Sequence, residues 1–406
     1  MAPPASSEPS RSKDPTRGLG LVGLVLLSAI GPMATDVYLP SLPDVVGDLN
    51  TSASAVQLTL SGFMLGLAFG QLLIGAISDA LGRRKLIIIG EVICLLSTIG
   101  CALAPTISLF IAARVVQGFS GAAGVVLARA IITDVTTGAR TTKLIAALMA
   151  IVGIAPVVAP LIGALLNSLG GWRSVFWALA AVMAVTLIII VGRIRETLPA
   201  DRRRPSGATT MVKGLGTALG RRLYLGYLLS FALAFGAFFS YISASSFILQ
   251  AQHGFSPLAY GVTFALGSLV LTASVTTTGR LAGKVPQQRL MTFGMGGLLA
   301  AGVIMLTASL TGMPLWLFLV GIAVLTMSMG QIMPNATTLA LAQTRDMGGT
   351  GSALIGFSQF ILAAAVSPLV GLAGEHDPHP FGATFAVCVG LSACACVFIA
   401  FRGERR

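Results

Sequence analysis

The sequence predicts an all-α integral membrane protein: twelve transmembrane helices in two six-helix pseudo-repeats around a central cavity. Composition, the spacing of apolar runs and the placement of Lys and Arg predict it. Of 406 residues, 55% are hydrophobic and 10% charged, against about 25% charged in soluble domains. Mean hydropathy is +0.89, so lipid is the solvent for most of the chain. Five cysteines are a sparse, odd set and exclude a disulfide-stapled secreted fold. Cys94, Cys101, Cys388, Cys394 and Cys396 sit in apolar runs without CxxC spacing and read as packing residues. The net charge of +12 is spread between apolar runs and forms no single stripe, so no nucleic-acid partner is expected.

A bilayer core takes roughly 20 apolar helical residues. Windows of that kind fall at 19–40, 56–78, 86–104, 108–128, 144–166 and 173–192, then at 223–248, 258–278, 290–311, 314–335, 352–373 and 381–401. The alternating ten-residue segments of a β-barrel are absent from this pattern. The division is a tail at 1–18, a bundle at 19–192, a central loop at 193–222, a second bundle at 223–401 and a tail at 402–406. The first tail is rich in Pro, Ser and charge and is expected to be disordered. No cleavage-type signal precedes the first span, which is expected to stay uncleaved.

With the N-terminus inside, all of the 26 basic residues except Arg114 and Arg173 fall on one side. The other side carries Asp44, Asp48, Glu375 and Asp377 and no Lys. This asymmetry predicts an even span count with both termini in the cytoplasm. The halves also read as copies. Leu109-Phe110 realigns with Leu317-Phe318, and Pro160-Leu161-Ile162-Gly163 with Pro368-Leu369-Val370-Gly371, both at an offset of 208. Gly75-x-x-x-Asp79 meets Gly279-x-x-x-Gly283 at 204. Parallel repeats put a cavity at mid-membrane, and rocking of the halves exposes it to each side in turn.

The loop Gly75-Ala-Ile-Ser-Asp79-Ala-Leu-Gly82-Arg83-Arg84-Lys85 resembles the G-x-x-x-D-x-x-G-R-R/K signature of the major facilitator superfamily, in the expected place between spans two and three. Arg114-Val-Val-Gln117-Gly118 resembles that superfamily's R-x-x-Q-G motif, and Gly171-Trp172-Arg173-Ser-Val-Phe176 its G-W-R-x-x-F start of span six. Gly31-Pro32-Met-Ala-Thr-Asp36-Val-Tyr38-Leu39-Pro40-Ser-Leu-Pro43 looks like the D-M-Y-L-P-A-L-P signature of Bcr/CflA-type drug/proton antiporters, exporters associated with bicyclomycin and chloramphenicol resistance. One departure stands out: where their fifth span ends G-P-x-x-G-G, this chain has Ala159-Pro160-Leu-Ile-Gly163-Ala164. Small residues are kept, so packing is expected to survive. The resemblance implies the major facilitator fold, a bacterial cytoplasmic membrane, and export of amphipathic drugs driven by the proton gradient. Drug, protons and lipid are then the partners, the chain is a monomer, and no cofactor or metal is needed.

Charges inside spans cost at least ~2.5–3.5 kcal/mol at the centre and mark pathways or pairs. Asp36 and Arg114 lie at similar depth in the outer third and are expected to meet, directly or through water, in the cavity wall as the proton-coupling pair. A substrate that binds only the ionised form of Asp36 competes with its proton, and that competition is antiport. Glu91, near the inner end of span three, reads as interfacial. Gln117 shares a face with Arg114 and is a candidate substrate donor. Phe238, Phe239 and Tyr241 in span seven are the expected aromatic lining, with Tyr38 and Met327 as weaker candidates. Gly62, Gly66 and Gly70 read as a close-approach stripe that Gly356 and Ala363 could meet across the seam. Gly75, Gly82, Arg84, Pro160 and Gly163 complete the motif positions, and Asp79, Arg83 and Arg129 are the expected inner gate.

No Walker loop, GxSxG or HExxH motif occurs, so neither ATP hydrolysis nor a membrane enzyme is expected. Glu375-His376-Asp377-Pro378-His379 reads as a solvated turn. The competing functional readings are an exporter of an endogenous metabolite, such as a sugar or amino acid, and a channel. The repeats and motifs argue against the channel.

Overall fold

The computed structural model describes residues 15–16, 18–203, 208–347 and 349–401. Most of the tail 1–18 and all of the tail 402–406 therefore lie outside the described residues, as do Arg11, Lys13, Arg17 and Arg204. The first half comprises α1 (Gly18–Asp36), α2 (Ala53–Leu81), α3 (Arg83–Leu103) and α4 (Ile107–Val135), then α5 (138–169) and α6 (172–193). The second comprises α7 (Arg222–Ser246), α8 (Pro257–Leu281), α9 (Gln287–Leu310), α10 (Leu315–Ala342), α11 (Gly349–Val366) and α12 (His379–Cys394). A short helix Leu42–Asp48 follows α1, and Ala208–Gly220 lies in the central loop.

Eleven apolar stretches are long enough to cross a membrane among the described residues. One of them, Gly138–Arg193, has 56 residues, about 84 Å of helix, against a bilayer core of about 30 Å. It is two spans. The backbone leaves helical geometry at Gly170 (φ −147°, ψ 20°) and Gly171 (φ 68°, ψ −179°). The second of these is a left-handed conformation that glycine takes without steric penalty. Twelve crossings result, so α1, α3 and α5 traverse in one sense and α2, α4 and α6 in the other.

The ends of α2, α6 and α10 and the starts of α3, α7 and α11 share one face, the basic face, which carries Arg83, Arg84, Arg195, Arg221 and Arg222. On the opposite face, Ser52, Thr106 and Ser256 cap α2, α4 and α8 by accepting from Ala55, Leu109 and Ala259 N. Each cap satisfies an amide that a first turn leaves without a partner.

Within the first half α2 lies on α4. A Cβ at Gly66 would fall 2.1 Å from Val115 O, and one at Gly118 2.0 Å from Phe63 O. The stripe Gly62, Gly66, Gly70 thus faces α4 inside its own bundle, which corrects the expectation that it faces the seam. Gly356 of α11 instead sits over the Gln71 side chain. The halves meet where α2 packs on α11 and α5 on α8, with Phe69 edge-on to Phe357 at 5.4 Å and Ser268 Oγ donating to Pro156 O at 3.2 Å. Toward the opposite face a further set of bonds joins them. Ser54 Oγ donates to Pro368 O (3.0 Å), Gln57 Nε2 to Ser243 O (3.3 Å), Ser367 Oγ to Gln57 O (3.2 Å) and Gln250 Nε2 to Pro40 O (3.0 Å). The molecule is sealed there and hollow behind.

Candidate functional site: a central cavity with one buried carboxyl

Beneath the seal lies a cavity of about 580 Å³ between the halves, within the range of small-molecule sites. Its walls reach Arg129, Met149 and Ser352, near the basic-face ends of α4, α5 and α11, so it opens toward that face. Asp36, the last residue of α1, lines it at its closed end and is 8% exposed. Among the described residues no hydrogen bond or ion pair engages its carboxyl. A carboxyl in this position can bind a proton or a ligand without first breaking a bond to the protein.

The facing wall is aromatic. Phe231, Phe235, Phe238, Phe239 and Ile242 recur along α7 with the spacing of one helical face, and all line the cavity. Phe235 is the hub, with ring centroids of Phe231, Phe238, Phe239 and Phe360 within 6.1–6.3 Å. Tyr241 stacks on Phe264 at 6.2 Å. Gln71 and Gln359 supply amides. Such a surface takes amphipathic ligands by burial and ring contacts.

On the basic face the loop between α2 and α3 is held by charge. Gly82 adopts φ 95°, and Arg83 pairs with Asp79 at 2.7 Å and Asp134 at 3.1 Å while donating to Ser78 Oγ. Glu196, just beyond α6, accepts from the amides of Arg83 (2.9 Å) and Arg84 (3.3 Å) at the start of α3. Arg84 in turn donates to Ile194 O (2.8 Å) and Val191 O (3.1 Å) at the end of α6. Burial opposes the Glu196 charge, yet the amides of Leu198, Arg83 and Arg84, with Arg203 nearby, hold its carboxyl below the ordinary value.

The sequence profile of the Major Facilitator Superfamily matches residues 24–368. The chain belongs to that superfamily. It is a membrane transporter, not an enzyme. The chain is 36% identical over 374 residues to an uncharacterized MFS-type transporter, YdgK, of Bacillus subtilis (strain 168), covering 92% of this chain and 93% of that one. It is 27% identical over 382 residues to a protein named bicyclomycin resistance protein homolog of Haemophilus influenzae, covering 94% and 96%. Among solved structures, a bacterial homolog to the human lysosomal transporter Spinster superposes with a TM-score of 0.72 at 17% identity, over 95% and 96% of the two chains.

In this facilitator Asp36 and Arg114 make no direct hydrogen bond or ion pair. Arg114 reaches the level of Asp36, donating from NH1 to Ala34 O at 3.1 Å, but also to Gln117 Oε1 at 2.7 Å and, from Nε, to Thr59 O at 3.4 Å. Its guanidinium is fully buried against Phe63 (4.3 Å), Tyr38 (5.4 Å) and Phe176 (5.8 Å). Hydrogen bonds and ring faces offset part of the loss of hydration, while Nη2 has no hydrogen-bond partner among the described residues. Helix rise fixes depth, whereas azimuth decides contact: Asp36 faces the cavity and Arg114 the interior of its own bundle.

Gln117, Tyr38 and Met327 likewise do not line the cavity. Gln117 Nε2 donates to Thr98 Oγ1 at 2.7 Å, so both ends of its amide are engaged inside the bundle. The Tyr38 hydroxyl accepts from Thr59 Oγ1 at 3.3 Å. On α10, Thr326 and Met333 line the cavity, and Met327, one residue and about 100° on, is 49% exposed on the outer surface. Glu91 is turned into the bundle rather than to the surface: it is 3% exposed, with Oε1 unpartnered among the described residues, where Gly90 seats α3 against Ala123 of α4. Arg129 stands apart from the Asp79–Arg83 network and lines the cavity.

Phe238, Phe239 and Tyr241 do line it. Gly163 lets α5 touch the residue after Asp36, since a Cβ there would fall 1.9 Å from Val37 O. The carbonyl of Pro160 lies against Gly261 of α8, so the span-five motif braces both the end of α1 and the seam. Gln71, Gln359, Phe264 and Phe360 were not singled out from sequence. The two glutamines carried a signal, as amides within apolar spans. At Asp377, the carboxylate accepts from His379 at 2.6 Å, and among the described residues no group of three or more His, Cys, Asp or Glu could hold a metal.

Proposed function

We propose that the chain is a proton-driven antiporter that exports amphipathic drugs across the bacterial cytoplasmic membrane, with the basic face and both termini in the cytoplasm. One observation carries this reading: the Asp36 carboxyl, with no hydrogen bond or ion pair among the described residues, lies in the same cavity, closed at one end, as a wall of phenylalanines. The positive-inside bias of the loops and the resistance names of relatives such as the bicyclomycin resistance protein homolog support it.

In this account drug enters from the basic face and settles against Phe235 and its neighbours, and binding favours the ionised form of Asp36, which gives its proton to the cytoplasm. Rocking of the halves breaks the bonds of Gln57, Ser367 and Gln250 at the seal and opens the opposite side. There a proton reclaims Asp36 and the drug leaves. Each proton moving inward contributes about 2.3 kcal/mol per 100 mV, enough for outward pumping of a neutral compound.

The test is a resistance profile of a pump-deficient bacterium expressing the chain. Raised resistance to several unrelated amphipathic drugs, including chloramphenicol, that a protonophore abolishes is the expected result. Resistance to none, with export of a single endogenous metabolite, contradicts the proposal.

A further inference from the structure

Asp36 and Arg129 are the two charged side chains lining the central cavity among the described residues, and they stand at its opposite ends. Arg114, through its bond to Ala34 O, marks the level of Asp36 on α4. Arg129 follows on the same helix by fifteen residues, about 22 Å of rise, toward the open mouth. Its guanidinium approaches Met149 Sδ at 3.7 Å. The nearest acids of the basic face, Asp79 and Asp134, are engaged by Arg83, and no carboxylate pairs with Arg129 among the described residues. A drug-sized ligand seated on Asp36 and the aromatic wall leaves Arg129 between itself and the mouth.

We infer that Arg129 is a charge filter at the cavity mouth, and that the cargo it favours is an uncharged amphiphile. The inference rests on reading the cavity as the transport route. A permanent cation approaching from the basic face meets the guanidinium before it can reach the carboxylate. An anion passes the mouth but meets the ionised Asp36 at the closed end. A neutral molecule with aromatic or apolar surface is repelled at neither point. Placing the two charges far apart prevents them from neutralising each other, as a contact pair would.

The filter is read without transport. Gln359 lines the cavity ten residues into α11, about 15 Å deep, whereas Arg129 is six residues, about 9 Å, from the end of α4. Gln359→Cys, in a chain with its native cysteines replaced by serine, is reacted with cationic, anionic and neutral methanethiosulfonates of similar size. Each charged rate is normalised to the neutral rate of the same variant. Because fixed charge beside a narrow route enriches counter-ions, and a reagent passes Arg129 before it reaches position 359, the anionic reagent is expected to react several-fold faster than the cationic one. Arg129→Gln lowers the ratio, and Arg129→Lys keeps it.

Raising the salt concentration with Arg129 intact lowers the ratio through screening, a readout that survives if the glutamine variant folds poorly. A ratio that Arg129→Gln leaves unchanged, or that salt does not move, overturns the filter. A ratio so lowered in a protein that exports no drug upholds the filter and refutes the exporter reading alone.

Discussion

The two halves share a helix plan and divide the chemistry. The first half carries Asp36, Glu91, Arg114 and Arg129 within its spans, whereas α7 to α12 hold their charged residues at the ends and in loops. The second half instead supplies the rings, from Phe231 to Phe360. The matching loops differ in the same way. Asp79 and Arg83 lock the turn between α2 and α3 to Asp134, while the related turn between α8 and α9 has Gly283 at φ 80° where Asp79 has its carboxylate. Elsewhere on that half's basic face, Arg221 at the start of α7 holds Asp346 of the loop between α10 and α11 at 2.5 Å. On the proposed function the two bundles specialise, one exchanging protons and the other gripping apolar cargo, with the cavity between them as the place where the two tasks meet.

Substitutions test that division, beginning with the largest effect. Asp36→Asn is expected to abolish drug resistance and its dependence on the proton gradient while the protein still reaches the membrane; wild-type resistance in cells expressing it breaks the assignment of coupling to the first half. Arg114→Met takes the donor from Gln117 Oε1, and an unsatisfied buried group costs about 1–3 kcal/mol. A lower thermal midpoint in detergent is expected, and an unchanged midpoint argues that the buried guanidinium is not structural. Phe235→Ala removes the hub of the aromatic wall, where each ring pair contributes about 0.5–1.5 kcal/mol. Drug affinity, measured by equilibrium binding, should fall about tenfold while drug-induced proton release at saturation remains.

The smallest effect concerns the basic-face clamp. Because the folded value of Glu196 is lowered, its contribution is complete above the ordinary glutamate range near 4.5 and is lost as pH falls through the lowered value. Proteolysis or hydrogen exchange of the 194–203 segment should therefore quicken only below about pH 4.5, and Glu196→Gln should show the faster rate at neutral pH. A neutral-pH rate equal to wild type breaks the clamp.

Much of the architecture was legible in the sequence because a bilayer imposes one-dimensional rules. Apolar length gave the spans, including the two that run on through Gly170 and Gly171, and the Arg83-Arg84 loop marked its face. Phe238, Phe239 and Tyr241 were readable as lining because they cluster in one span. Contacts that depend on rotation about a helix were not. Asp36 and Arg114 match in depth and miss in azimuth, Met327 is one position from the cavity face, and the Gly66 stripe turns to α4. Arg129 lines the cavity for a related reason: α4 runs on to Val135, so Arg129 stands on the helix beside Met149 of α5 rather than in the loop.

The proposed antiport turns on competition between drug and proton for Asp36. The direct measurement is proton release when drug is added to the purified protein in weak buffer. Wild type should release protons in proportion to drug bound, and Asp36→Asn, a mimic of the protonated carboxyl, should bind drug more weakly and release none. Equal release from both proteins contradicts the claim.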